Sequence, residues 1–351
     1  MLLRALRPLL GVSIALLLGL SLGAVLMALW GYNPLLAYGA LFRGAFGDRY
    51  AIATTLSRAT PLILTGLTFA IGMRGGLFNI GAQGQLTAGA LVAVAVSLWA
   101  LPPGWHLLVA VVLAMLAGAL FSIPAAVLKL TSGVHEVIST IMLNWIAFWV
   151  AGYVIITYLQ DPLRGYSSIQ AVPGERFPLL LVGSDLTYAL LASVAFALAI
   201  YWVLWYHAAG YELRASGLNP DASRYAGMRP AWSMTLTFVL GGLAAGLVGA
   251  TEVLGRFPYS LTNSLSNLGS LGFDGIAVAL VGRNHPLGVI AGAIFFGALT
   301  AGATQMGFQV GVPIDMISIV QGIIIMAVAI PELWRLGHVF LPRRTSRREE
   351  E

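Results

Sequence analysis

The stretch "TPLILTGLTFAIGMRGGLFNIGAQGQLTAGALVAVAVSLWA", residues 60–100, decides how the chain must fold. Two apolar runs flank "GGLFNIGAQGQL" (75–86), which carries four glycines (Gly75, Gly76, Gly81, Gly84), three amides (Asn79, Gln83, Gln85) and no charge. Long apolar runs suit lipid, where a helix pairs its backbone N–H and C=O groups within its own segment. A soft, polar interruption between two such runs is tolerated at membrane depth only when it is buried in protein or lines an aqueous cavity. Gly-interrupted segments of transport proteins often mark the substrate route. Here the freed backbone groups and the amides offer donors and acceptors without fixed charge. That suits a neutral, polyhydroxylated or heterocyclic solute better than an ion. The competing reading is a glycine-rich helix contact with amides as interhelical glue. It explains the glycines better than it explains three amides within seven residues.

Composition agrees with a membrane protein. Of 351 residues 58% are hydrophobic and only 9% charged, with a mean hydropathy of +0.86. A soluble domain carries about 25% charged residues, so a soluble surface could not be covered. A spanning helix needs about 20 apolar residues. Candidate spans are 9–30, 52–73, 84–101, 107–128, 136–158, 187–207, 231–252, 271–282, 286–305 and 314–333, the eighth being short. The expected fold is all-α: a polytopic transmembrane bundle of about ten spans, at least one short or broken, forming a single domain over 1–351. The first run is too long for a signal's apolar core and lacks a small-residue cleavage site, so it reads as a retained span. The pairs Gly242/Gly246 and Gly288/Gly292 have the spacing that lets helices approach closely.

The basic residues give an orientation. Arg4, Arg7, Arg74, Lys129, Arg214, Arg224, Arg229, Arg283, Arg335, Arg343, Arg344, Arg347 and Arg348 fall on the side of the N-terminus. Arg43, Arg49, Arg58, Arg164, Arg176 and Arg256 fall on the other. This asymmetry predicts that both termini are cytoplasmic. The net charge of +5 then reflects basic inner loops rather than a nucleic-acid surface. The single lysine, Lys129, reads as compositional bias. Outside lies a Pro- and Gly-rich loop, 159–186; inside lie the segment 211–229 and a charged tail, 341–351.

Within the inner segment, residues 218–230 spell a short helix. Asn219 can cap it, Pro220 fits the first position and Asp221 suits the positive end. Gly227 can end it in the left-handed conformation, and Pro230 blocks its continuation. Leu218, Ala222, Tyr225 and Ala226 would form one apolar side. That is the form of a docking knob, or of a plain connector between spans.

Several chemistries are excluded. With no cysteine there is no disulfide, thiolate metal site or cysteine nucleophile. No GxxxxGK[ST] occurs, so the chain is no Walker-type ATPase. No HExxH occurs; GxSxG occurs once, as "GLSLG" (19–23) inside the first apolar run, and the five histidines are scattered. The acids Glu136, Glu252, Asp274 and Asp315 sit near span ends or a break, which gives no clear mid-membrane ion site for a coupled carrier.

A second interrupted region, "LGSLGFDGIAVALVGRNHPLG" (268–288), echoes the first: "LGFDGI" and "GLFNIG" each set Phe and then Asp or Asn beside glycine, on spans of opposite direction. Four blocks, "TPLILTGLTFAIGMRGGLFNIGAQGQL", "GVHEVISTIMLNWIA", "GYELRASGLNPDASRYAGM" and "GFDGIAVALVGRNHPLGV", resemble permease subunits of bacterial ABC importers. The class is that serving ribose-type sugars and branched-chain amino acids, and the likeness is nearest to nucleoside permeases that work with basic-membrane-protein lipoproteins. The resemblance covers most of residues 30–331. It implies a multi-pass permease of the bacterial cytoplasmic membrane with no cofactor of its own. Its implied partners are an ATP-binding subunit that uses ATP and Mg, a second related permease in a heterodimer, and an extracytoplasmic substrate-binding lipoprotein. The substrate path is assigned to Phe78, Asn79, Gln83, Gln85, Asn144, Phe273 and Asp274. ATPase coupling is assigned to Glu212, Arg214, Gly217, Asn219, Pro220, Arg224, Tyr225 and Gly227. Similar permeases usually read "GAEGQ" where this chain has Gln83, a loss of charge consistent with a neutral solute. Nucleoside is the first expectation; a simple-sugar permease and an ion-coupled secondary transporter are the alternatives.

Overall fold

Short polar side chains start many of the helices, and glycines end several of them. The computed structural model describes the backbone of residues 2–102, 104–313 and 315–340, and side chains over 16–102, 104–313 and 315–327. The tail expected at 341–351 lies outside the described residues. In chain order the helices are α1 (Leu2–Leu29), α2 (Pro34–Phe46), α3 (Arg49–Arg74), α4 (Ala82–Val96), α5 (Trp105–Ser132) and α6 (Glu136–Tyr158). There follow α7 (Ala189–Tyr206), α8 (Ala208–Leu218), α9 (Pro220–Tyr225), α10 (Pro230–Gly255), α11 (Leu271–Val281), α12 (Pro286–Val310) and α13 (Asp315–Phe340). Asn33 and Asp48 accept the first backbone N–H groups of α2 and α3, as N-caps should. Gly133 and Gly311 close α5 and α12 in the left-handed conformation.

Every one of the ten apolar stretches lies on a helix. Six helices among the described residues are long and apolar enough to cross a membrane: α3, α5, α6, α7, α10 and α12. Leu16–Leu29, α4, α11 and Asp315–Ala327 are shorter apolar helices. Two helices were not foreseen. The α2 run is 13 residues with Arg43 inside it, too short for a span; α8 is 11 residues long and runs into the segment 211–229.

Burial orders the bundle. The most apolar window of α3 is 83% buried and that of α10 67%, against 22% for α6. Helices α3 and α10 are therefore the axis, with α4 and α5 packed on α10 and α11 and α12 packed on α3. The seams are made by glycine. A β-carbon at Gly242 would fall 2.6 Å from the Gly118 carbonyl oxygen of α5, and one at Gly246 would strike the backbone of Ala114 and Met115. One at Gly89 of α4 would meet the Gly246 carbonyl oxygen at 2.6 Å. Backbones in such contact gain dispersion where lipid supplies no hydrophobic drive between helices. The long loop after α6 is tied down by backbone bonds: Ser168 N–H donates to Leu261, Ala171 to Tyr259 and Phe177 to Leu254, at 2.7–2.9 Å. Glu175 in that loop is fully buried and accepts the Ser97 hydroxyl; burial pushes its carboxyl above the usual range.

A Gly246→Val change should lower the unfolding temperature of the detergent-purified protein, overpacking costing about 1–3 kcal/mol. Gly39→Ala, where the new β-carbon meets nothing within 4 Å, should leave it unchanged or raise it slightly. Thermal scans of the two variants check both halves.

Candidate functional site

The interruption begins as an ordered helix end. Gly75 caps α3 and Gly76 has φ +71°, a conformation glycine adopts without a β-carbon penalty. The Leu77 N–H donates to Gly72 and the Gly76 N–H to Met73, the paired bonds of a Schellman closure. The chain then doubles back. The Asn79 side chain comes beside Gly72 and Gly241, so α4 starts well inside the layer of helices rather than at its edge.

At that depth the α4 N-terminus meets the N-terminus of α11. Gln83 of α4 joins them: its Oε1 accepts the Gly272 N–H at 2.8 Å and its Nε2 donates to the Gly269 carbonyl at 3.0 Å. Asn144 of α6 treats α4 alike, accepting the Gly84 N–H at 2.8 Å and donating to Ile80 at 2.9 Å. Asn79 Oδ1 accepts the Gly81 N–H at 2.9 Å and the Gln85 amide at 3.4 Å. The first N–H groups of a helix have no partner within it, and here amide side chains from neighbouring segments supply partners. The two interrupted regions read from the sequence are thus one place. Asn79 and Gln85 are each 2% exposed, Gln83 and Asn144 are half-buried, and Phe78, Phe273 and Asp274 are exposed. The positive ends of two helices converge here, with Asp274 in the first turn of α11, where a negative charge is favoured.

The coupling residues divide between two helices. On α9, Asn219 Oδ1 accepts the Ala222 N–H at 3.0 Å, Pro220 takes the first position, and Arg224 pairs with Asp221 at 3.6 Å. Gly227 turns the chain at φ +81°. Leu218 is 89% and Tyr225 96% exposed, while Ser223 on the opposite side is buried. On α8 the residues look inward or sideways. Arg214 lies 5.3 Å from the Trp205 ring, and Glu212 lines a surface hollow with Gly227, Arg229 and Trp232. Gly217 touches the interruption itself: a β-carbon on Gly76 would fall 2.6 Å from the Gly217 carbonyl oxygen.

Three interactions escaped the sequence reading. Lys129 is not idle: its Nζ lies 2.9 Å from Glu136, whose other oxygen accepts the Phe78 N–H at 3.4 Å. The spacing "KLTSGVHE" was the available signal. Arg74 donates to the Asn284 carbonyl at 2.8 Å, joining the C-terminal end of α3 to the turn after α11, and its guanidinium lies 5.4 Å from the Trp205 ring. Buried Glu252 pairs with half-buried Arg256 at 3.1 Å. Among the described residues no His, Cys, Asp and Glu cluster could hold a metal ion.

Gln83→Leu should lower the unfolding temperature, because the buried Gly272 N–H loses its partner, at about 1–3 kcal/mol for a buried group left unpaired. Gln83→Glu keeps an acceptor for Gly272 and leaves only the exposed Gly269 carbonyl without its partner, so its loss should be smaller than that of Gln83→Leu. Equal unfolding temperatures for Gln83→Leu and the parent would show that the junction is not held this way.

The model of the family described as "Branched-chain amino acid transport system / permease component" matches residues 51–329. The guanosine ABC transporter permease protein NupP of Bacillus subtilis is 39% identical, over 90% of this chain and 91% of its own. The nucleoside ABC transporter permease protein NupB of Lactococcus lactis is 34% identical, over 90% and 89%. The glucose ABC transporter permease protein TsgB13 of Haloferax volcanii is 32% identical, over 92% and 88%. No solved structure matches.

Proposed function

The chain belongs to the branched-chain amino acid transport system / permease component family, and on that premise we propose that it forms the membrane path of an ATP-driven importer for a nucleoside. The observation that carries this is the 39% identity to a guanosine permease along nearly the whole of both chains. The site agrees in kind: its junction is built from amides and backbone, with no lysine or histidine in it. A sugar is the second reading, favoured by the glucose permease of Haloferax volcanii.

In this reading the single domain crosses the bacterial cytoplasmic membrane about ten times with both termini inside. Phe78, Gln83, Phe273 and Asp274 line the path; Asn79, Gln85 and Asn144 hold the backbone that shapes it. An ATP-binding subunit, which carries the ATP and Mg, docks on α9 through Leu218 and Tyr225. Arg214 and Gly217 of α8 seat that knob against Trp205 and Gly76. A second, related permease lies alongside, and an extracytoplasmic binding lipoprotein delivers solute to the outer face. Support for the docking comes from the side chains of Leu218 and Tyr225, which touch little of their own chain.

Tyr225→Asp places a charge where an apolar groove should receive the ring. An unpaired buried charge costs several kcal/mol and each 1.4 kcal/mol is about tenfold in affinity, so co-purification with the ATPase subunit should fall at least tenfold while membrane insertion is unchanged. Retained association would reduce α9 to a connector. In proteoliposomes, uptake should need the ATPase and ATP; uptake by this chain alone on a sodium or proton gradient would establish a secondary transporter instead. Cysteines placed singly at Leu163, which is 94% exposed, and at Ala222 should label from opposite membrane faces. Labelling from one face would overturn the orientation.

A further inference from the structure

Beside the α4–α11 junction lies a cavity of about 310 Å³, within the usual range for small-molecule sites, about 300–1,000 Å³. Its polar lining is Arg58 of α3, Glu252 and Arg256 at the end of α10, Asn267, Asp274 of α11 and Thr300 of α12. Arg58 stands sixteen residues (58 to 74) from the inner end of α3, about 24 Å along the helix at 1.5 Å per residue. With Arg74 set at the inner boundary, that falls inside a hydrocarbon layer of about 30 Å, where ionisable groups are costly and mark solute routes.

Most of this lining is already committed to the protein. Arg256 Nη1 donates to both Glu252 oxygens at 3.2 and 3.1 Å, and Nη2 donates to the Ser57 carbonyl at 3.1 Å. That pair fastens α10 to α3. Asn267 donates to Ser260 and accepts from Thr262, and the Thr300 hydroxyl donates to Phe296. Arg58 and Asp274 differ. Both are exposed, and no ion pair within 4.0 Å forms at either among the described residues. Asp274 takes the Ser270 hydroxyl at 3.2 Å, which leaves acceptor capacity on both oxygens. The four charges sum to zero, so a neutral solute enters without leaving an uncompensated ion.

We infer that this cavity is the solute's binding station on the path, with the Asp274 carboxylate accepting the vicinal hydroxyls of a ribose and the Arg58 guanidinium donating to a carbonyl or ring nitrogen of the base. Two adjacent O–H donors match the two carboxylate oxygens, and hydrogen bonds to an ionised group are roughly twice as strong as neutral ones. The assignment rests on the nucleoside reading and adds the two residues that recognise each half of the molecule.

The test uses the assembled importer in proteoliposomes: this chain, its ATPase subunits, second permease and binding protein. Uptake of guanosine and of 2′,3′-dideoxyguanosine is measured at limiting concentration for the parent, Asp274→Asn, Asp274→Glu and Arg58→Gln. The binding protein is common to all, so its own preference cancels when the guanosine-to-dideoxy ratios are compared. Co-purification of the ATPase subunits shows that each variant has assembled. The ratio should fall about tenfold or more in Asp274→Asn and persist in Asp274→Glu. Arg58→Gln should slow both solutes by the same factor. An unchanged ratio in Asp274→Asn, with the parent transporting guanosine normally, overturns the binding station and leaves the nucleoside reading standing. A parent complex that carries glucose or leucine and no nucleoside overturns both.

Discussion

A bilayer offers no water to a backbone, so every place where a spanning helix is interrupted must find partners for the groups it frees in protein or in an enclosed aqueous cavity. In this chain that constraint falls on Gln83. One side chain accepts the Gly272 N–H of α11 and donates to the Gly269 carbonyl before it, closing the start of a second short helix from the first. Asn144 serves α4 in the same way from α6. An amide carries a separate donor and acceptor side by side at one end without a charge. A carboxylate at 83 would leave a carbonyl unserved, and an apolar residue would leave two groups. The placing of α4, α6 and α11 around the axis follows from these bonds, and the glycine seams on α10 let the remaining helices close around them.

The same junction reaches α8 through backbone alone. Gly76 and Gly217 touch without a side chain between them, so a displacement of α8 meets the interruption directly. Packed interiors transmit such strain because they compress little. Arg74 adds a second tie from the end of α3 to the turn after α11, and the Lys129–Glu136 pair a third, through Phe78, to the α5–α6 hairpin. The segment proposed to meet the ATPase and the segment proposed to meet the solute are therefore parts of one contiguous contact.

Much of the helical layout was legible because lipid leaves the backbone few choices: all ten apolar stretches carry helices, and the Asn219–Pro220 start of α9 forms its cap. The α2 helix was not legible, since 13 residues with an internal arginine satisfy no rule for a span. The two readings of "GGLFNIGAQGQL" turn out not to exclude one another. Asn79, Gln85 and Asn144 bond to backbone and to each other, as interhelical glue would. They do so around a junction that leaves Phe273 and Asp274 exposed, as a route would need. Sequence could not separate these, because an amide that caps a helix and an amide that lines a path look alike until the neighbouring helix is placed. Arg58 was counted with the outer charges, yet it lies on α3, nearly three turns in from Asp48; its meaning came only from α10 and α11 arriving beside it.

The central claim is that the meeting point of α4 and α11 borders water inside the membrane. The chain has no cysteine, so one thiol can be introduced at Asp274 and its reaction with a small, charged, membrane-impermeant thiol reagent followed in the assembled complex. The account predicts reaction at a rate near that of an exposed loop position such as Leu163, slowed when a nucleoside and its binding protein are present. A thiol at Asp274 as inert as one placed at Trp149, on the mostly unburied face of α6, would contradict it.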